Sequence, residues 1–163
     1  MQILLLRHGE AVDHPDDYIR PLTARGRDQA ALAGKTLHLF RLVPDKIFMS
    51  PLLRAQETAG IVADLLGVTA LIPTEYLTPM SDHRQFFDLI SPLRGERILL
   101  VGHEPHLSAM ISLLTTGTRA MRIGMQTGGL ALCDTGDPAT PGGGALRFLL
   151  PPETTSGLLA QTA

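Results

Sequence analysis

The chain has 163 residues, a formal net charge of −2, 44% hydrophobic and 18% charged residues, and one cysteine, Cys133. Such a composition fits one soluble globular domain, long enough to bury roughly two-thirds of its unfolded-chain surface. It excludes a global basic field for nucleic acid or an anionic membrane surface, an intrachain disulfide and a thiolate metal cluster.

No run of about 18 apolar residues is present, so no membrane span is expected. The opening apolar run ends at Arg7 with no small-residue cleavage site, so no signal peptide is expected and a cytoplasmic location is. Lys35 and Lys46 are the sole lysines, which leaves arginine as the available anion ligand.

Ile3-Leu4-Leu5-Leu6 reads as a short buried strand running into Arg7-His8-Gly9-Glu10. A polar stretch with two prolines, 13–21, reads as a loop. Thr23 is a good N-cap for a helix over 27–41, with Ala30, Ala33, Leu37 and Phe40 at helical spacing. Gly26 weakens that helix unless a close backbone contact demands it. Pro44-Asp45 precedes a second strand, 46–50, and Pro51 suits the first helical position after a Ser50 cap. That helix is expected to reach Leu66, with Gly67 as its stop.

A brief edge strand is expected at 70–72, a loop at 75–82 and a helix at 83–93. The clearest strand is 97–101, followed by Gly102-His103-Glu104-Pro105 and a helix over 106–114 that Gly117 closes. Strands at 129–133 and 145–149 flank a loop rich in Gly, Pro, Asp and Thr, which makes a hairpin. The last ten residues show no pattern and are expected to fray. Without an internal repeat or linker, the expectation is one domain, 1–152, and a flexible tail, 153–163. Strands alternating with helices predict a three-layer α/β/α sandwich with a mostly parallel central sheet.

Three of these strands end in similar chemistry. The first ends in Arg7-His8-Gly9, the second in Ser50-Pro51 with Arg54 one turn on, and the fourth in Gly102-His103-Glu104-Pro105. If they are parallel neighbours, two arginines, two histidines and helix N-termini meet on one sheet edge, where an anion is favoured. That is a phosphate pocket.

Leu6-Arg7-His8-Gly9-Glu10, Ser50-Pro51-Leu52-Leu53-Arg54-Ala55 and Val101-Gly102-His103 resemble the histidine phosphatase (phosphoglycerate mutase-like) superfamily. Leu22-Thr23 with Gly26 and Gln29-Ala30 resembles the helix entry seen there. The opening Met1-Gln2, Pro21-Leu22-Thr23 and Leu77-Thr78-Pro79 narrow the match to the SixA-type phosphohistidine phosphatases. The resemblance implies hydrolysis of a phosphomonoester or phosphoramidate through a phosphohistidine intermediate. It gives His8 as nucleophile, Arg7 and Arg54 as clamps on the non-bridging oxygens, and His103 as a stabiliser of charge on the transferring group. Arg7, Arg54 and His103 would bind the phosphate.

No metal and no other cofactor is expected: His14, His38, His83 and His106 lie scattered, without ligand spacing. His106 reads as a surface helix residue, Ser50 as a helix cap whose hydroxyl could also touch the pocket, and Glu10 has no assigned role. Asp82 and Glu75, with Glu104 beside them, are the candidates for a general acid, although Asp82 and Glu75 equally suit ordinary loop carboxylates. A weak acid site favours a phosphorylated imidazole over an ester, and the short 54–103 interval leaves little room for a lid. The expected substrate is therefore a phosphohistidine on a signalling or phosphotransfer protein. The alternatives are a small phosphorylated metabolite or, further off, a noncatalytic phosphoprotein-binding role.

Overall fold

The computed structural model describes residues 1–161. Its sheet has six strands: β1 (Gln2–Arg7), β2 (Lys46–Met49), β3 (Leu71–Pro73), β4 (Arg97–Gly102), β5 (Leu130–Thr135) and β6 (Gly144–Leu150). Their order across the sheet is β3-β2-β4-β1-β5-β6. β3, β2, β4 and β1 run parallel, and β5 and β6 form the expected antiparallel hairpin at one side.

Alternation along the central strands sorts the core into two layers. Ile3, Leu5, Ile98 and Leu100 face one side, where they meet Phe86 and Ile90 of α3 (His83–Ile90) and Leu107, Met110 and Ile111 of α4 (His106–Thr116). Leu4, Leu6, Leu99 and Val101 face the other, against Ala33 and Leu37 of α1 (Ala24–Leu39) and Ala55, Ala59 and Val62 of α2 (Leu53–Leu66). Small alanines on α1 and α2 let both helices lie close to a sheet whose own residues are large. The three-layer α/β/α architecture follows, and the helix stops at Gly67 (φ 68°) and Gly117 (φ 72°) are left-handed as expected. Among the described residues, no helix is long and apolar enough to cross a membrane.

Two expectations need correction. Ser50 does not cap α2: the helix starts at Leu53, its N-cap is Leu52 without a side-chain bond, and Ser50 is fully buried. The tail beyond Pro151 is not irregular throughout, because Pro152–Ala160 forms helix α5 against α1. Thr-Thr-Ser-Gly inside it are poor helix formers, so its helicity comes from Pro152 at the first turn and from tertiary burial of Thr155. Residues 162 and 163 of that tail lie outside the described residues.

Thr23 does cap α1, its hydroxyl accepting the Gly26 N–H at 2.9 Å. Gly26 is there for contact. A Cβ built on it would stand 2.0 Å from the Glu10 carbonyl oxygen, and one built on Gly9 would stand 2.2 Å from the Gly26 carbonyl oxygen. The loop after β1 thus rests backbone on backbone against the first turn of α1. Alanine would raise helix propensity at position 26 by about 1 kcal/mol, but neither side of this contact is a movable side chain. We expect Gly26→Ala to lose about 2 kcal/mol or more of stability in urea unfolding, the cost of overpacking exceeding the helical gain. A more stable variant would show that the contact yields easily.

Candidate active site

The site lies where β1, β4 and β2, adjacent and parallel, reach their C-terminal ends. Register carries the ladder one residue past the strands. The His8 N–H donates to the Gly102 carbonyl and the Ser50 N–H to the Val101 carbonyl, each at 3.0 Å. His8, Ser50 and the residue after Gly102, His103, are therefore side by side. Thr58 ties α2 to the same place: its hydroxyl donates to the Arg54 carbonyl (2.7 Å) and accepts the Gly9 N–H (3.1 Å).

Arg7, His8, Arg54 and His103 all line one cavity of about 310 Å³. Glu10, Ala11, Arg20, Pro79, Glu104 and Thr127 complete its walls. Asp82 and Glu75 are not brought into it. Both are exposed, and the Asp82 carboxylate caps α3 by accepting the Arg84 N–H at 2.9 Å. Glu104 is the general-acid candidate that reaches the cavity.

His8 is 8% exposed. Its Nδ1 is 2.7 Å from the Gly9 carbonyl oxygen, which can only accept, so Nδ1 carries the proton and Nε2 the lone pair. Arg54 Nε donates to that lone pair at 3.3 Å, a long bond. Burial, with the nearby charges of Arg54 and Arg7 and against the opposing Gly9 bond, lowers the His8 pKa to about 4. The imidazole is thus neutral and nucleophilic at physiological pH.

Arg54 is 4% exposed and is held from the other side by Asp17. Its Nη1 donates to the Asp17 carbonyl (2.7 Å) and its Nη2 to the Asp17 carboxylate (3.1 Å). The same carboxylate pairs with Arg20 at 3.1 Å; burial is the largest single influence on Asp17 and raises its pKa, but the hydrogen bonds and charges of Arg54 and Arg20 together outweigh it and hold the group below the usual carboxylate range. The Arg7 guanidinium is aimed by one bond, Nη1 to the Met125 carbonyl at 2.6 Å, while its Nε is buried without a partner.

His103, 2% exposed, has Nε2 at 2.8 Å from Ser50 Oγ. Ser50 Oγ also accepts the Leu52 N–H at 3.3 Å, which leaves its proton for His103 Nε2. That tautomer puts the imidazole's own proton on Nδ1, a buried atom with no protein partner. Burial, then the charges of His8 and Arg54, lower the His103 pKa to about 2. His103 is therefore a neutral hydrogen-bond donor and not a cation.

Sequence reading missed several supports. Asp17 and Arg20 sit in a stretch read only as a polar loop, with no spacing that ties them to Arg54. Ser50 orients His103. Gln29 joins the Glu10 N–H (2.8 Å) to the Thr127 hydroxyl (3.3 Å). His106, expected at the surface, is fully buried: its Nε2 meets the Tyr76 carbonyl at 3.0 Å and Ser81 Oγ at 3.1 Å. It thereby pins the loop that carries Pro79, and burial lowers its pKa to about 4, with the His83 charge adding. Among the described residues, no group of three His, Cys, Asp or Glu side chains is placed to hold a metal ion.

These histidines set a pH dependence. The folded pKa values lie below the unfolded value near 6.5, so between about pH 6.5 and 4 the unfolded chain binds protons that native His8 and His106 refuse. Stability is fully present above that window and falls as pH drops through it. Glu104, its pKa raised by burial, opposes this with one proton. We expect the urea midpoint to fall between pH 7.5 and 5, and the His8 ring to titrate near pH 4 by ¹⁵N NMR. A His8 midpoint near 6.5 would contradict a buried, neutral imidazole.

The chain has recognisable relatives among phosphatases. The model of the histidine phosphatase superfamily (branch 1) matches residues 3–80. Phosphohistidine phosphatase SixA of Escherichia coli (strain K12) is 30% identical over 124 residues, covering 72% of this chain and 76% of that one. The mitochondrial serine/threonine-protein phosphatase Pgam5 of Drosophila willistoni is 48% identical over 61 residues, which are 37% of this chain but 21% of that protein. The solved structure of the protein histidine phosphatase SixA complexed with tungstate superposes with a TM-score of 0.83 at 26% identity, covering 93% of this chain and 97% of that one. Taken with the arginines and histidines gathered at the strand ends, these similarities identify the chain as a member of the histidine phosphatase superfamily, a metal-independent phosphatase.

Proposed function

We propose that this chain is a phosphohistidine phosphatase, which takes phosphate from a histidine on a partner protein and passes it to water through a covalent phosphohistidine at His8. The observation that carries the reading is the neutral His8 Nε2, within a cavity it shares with Arg7, Arg54 and His103. A phosphoryl oxygen takes the place of the long Arg54–His8 bond. That frees the lone pair for in-line attack while Arg7 and Arg54 hold the non-bridging oxygens. His103 donates from Nδ1 as negative charge gathers on those oxygens. Each such preorganised donor is worth about 3–4 kcal/mol in the transition state.

Exposed apolar residues close in sequence to the cavity lining support a protein substrate. Val12, Tyr18, Ile19 and Met80 are 43%, 55%, 52% and 93% exposed, and each is adjacent or close in sequence to a residue lining the cavity: Ala11, Arg20 or Pro79. Exposed apolar side chains in the segments that line a charged site suit a macromolecular surface better than a small polar metabolite. The similarity to SixA of Escherichia coli points the same way. In the cell, such a partner is a histidine-phosphorylated signalling or phosphotransfer protein, and the chain would act in the cytoplasm.

The test pairs two substrates. We expect faster release of phosphate from a ³²P-phosphohistidine protein than from a panel of sugar phosphates, and an acid-labile phosphoenzyme in wild type that is absent in His8→Ala. Arg54→Ala is expected to lower kcat about 10²–10³-fold. Preferred turnover of a small phosphomonoester would move the assignment to metabolite hydrolysis, and a phosphoenzyme at wild-type level in His8→Ala would remove His8 from the nucleophile's role.

A further inference from the structure

A guanidinium offers its N–H groups on two edges. The end edge carries one N–H each from Nη1 and Nη2; the side edge carries the Nε N–H and the second N–H of Nη2. At Arg54 a single residue takes the end edge: Nη1 donates to the Asp17 carbonyl at 2.7 Å and Nη2 to the Asp17 carboxylate at 3.1 Å. The side edge is thereby turned toward His8, where Nε meets Nε2 at 3.3 Å. The other carboxylate oxygen of Asp17 accepts from Arg20 Nη1 at 3.1 Å, and Arg20 Nε donates to the Val12 carbonyl at 3.0 Å. One carboxylate therefore spans two arginines that both line the cavity.

The segment that carries Asp17 starts and ends at one place. Ala11 bridges Leu22, and the Val12 N–H donates to the Pro21 carbonyl at 2.8 Å. Between those ends, residues 12–19 are exposed, and the short helical turn Asp17–Ile19 buries no residue. No apolar side chain anchors the turn, and its grip on Arg54 is polar. With Asp17 55% exposed, such a pair contributes little to stability. What it does set is the direction in which a buried arginine points.

We propose that Asp17 is a positioning residue for phosphoryl transfer: by gripping the end edge of Arg54 it holds the side edge as the fork that meets the phosphoryl oxygens. This rests on the phosphoenzyme reading above. Asp17 touches no substrate and acts through Arg54. When a phosphoryl group enters, one oxygen replaces His8 Nε2 at Nε and a second meets the remaining Nη2 N–H, a two-point contact that a swivelled guanidinium would lose. Asp17 keeps its place throughout. Its carboxyl is held below the ordinary range, so it is ionised wherever His8, with a pKa of about 4, is largely neutral.

A double-mutant cycle separates this role from a structural one. With the full chain, kcat and KM for p-nitrophenyl phosphate and phosphoramidate are measured in wild type, Asp17→Ala, Asp17→Asn, Arg54→Ala and the Asp17→Ala/Arg54→Ala pair. Asp17→Ala is expected to lower kcat about 10–10²-fold with little change in KM. Asp17→Asn, which keeps an oxygen acceptor, is expected to recover part of that loss, and Asp17→Ala to cost nothing further once Arg54 is alanine. Should Arg54→Ala not fold, Arg54→Lys, which has no fork, takes its place. An equal loss with and without Arg54 would make Asp17 structural and overturn the proposal. Wild-type kcat with tighter inhibition by inorganic phosphate would make Asp17 a competing anion, and would overturn it too. Amide hydrogen exchange is independent of turnover: saturating inorganic phosphate is expected to leave residues 13–20 exchanging no faster, whereas faster exchange would show Asp17 displaced and the proposal wrong. If wild type forms phosphoenzyme on His8 while Asp17 fails these tests, only this inference falls; if it forms none, both readings fall.

Discussion

Arg54 carries a permanent charge into a place where 4% of its surface meets solvent, and much of the site is a response to that charge. A buried guanidinium left without hydrogen bonds would cost several kcal/mol. Here each of its three nitrogens has an acceptor: the Asp17 carbonyl, the Asp17 carboxylate and His8 Nε2. Two of those acceptors come from an exposed loop residue, and the third bond is long. A phosphate dianion can therefore take the place of His8 at the guanidinium without first unmaking a well-packed core pair. Burial first, with the Arg54 charge adding to it, keeps His8 and His103 neutral. One imidazole thereby presents a lone pair at Nε2 and the other a proton at Nδ1.

Precision in this arrangement comes from the backbone. The β1–β4 and β2–β4 ladders run past the strand ends, and hydrogen bonds on the peptide groups of His8 and Ser50 set those residues at fixed heights. Gly9 then lies on Gly26 with no room for a methyl group, and Thr58 joins the Gly9 N–H to the Arg54 carbonyl. The His8 loop, the first turn of α1 and the Arg54 helix are thus coupled through peptide groups, whose geometry varies far less than that of long side chains. A site on such elements can hold reacting groups within the tolerance that phosphoryl transfer requires. The walls are less rigidly built: Pro79 belongs to a loop fastened by His106 through Tyr76 and Ser81.

The parts that local pattern exposes well are those made by local physics. Apolar runs of three or four residues marked β1, β2 and β4, the Thr23 cap marked α1, and glycines marked the ends of α2 and α4. Arg7, His8, Arg54 and His103 were legible because each follows a strand end, and parallel neighbours bring such ends together. Ser50 was read as a cap because Ser-Pro at a strand–helix junction has that local preference. The β2–β4 ladder instead buries its hydroxyl against His103, three residues before the helix begins. His106 was read as exposed because histidine near a helix start usually is, whereas a carbonyl from a distant loop satisfies it in the interior. α5 was missed because its own residues favour a helix weakly and its order comes from packing against α1.

By itself, then, the sequence determined the alternation of strand and helix, the apolar faces of the core and the four groups at or just past strand ends, since these follow from periodicity and chain direction; that β2, β4 and β1 are neighbours, so that the four groups meet, belongs to the sheet order. Tertiary structure alone decided which tautomer His8 presents, that His103 is a neutral donor, that Asp17 answers Arg54, and that Glu104 reaches the cavity while Asp82 and Glu75 do not. Those outcomes depend on burial and on contacts between residues tens of positions apart. Protonation and hydrogen bonding answer to the local dielectric and to the nearest partner, and neither can be read from neighbours along the chain.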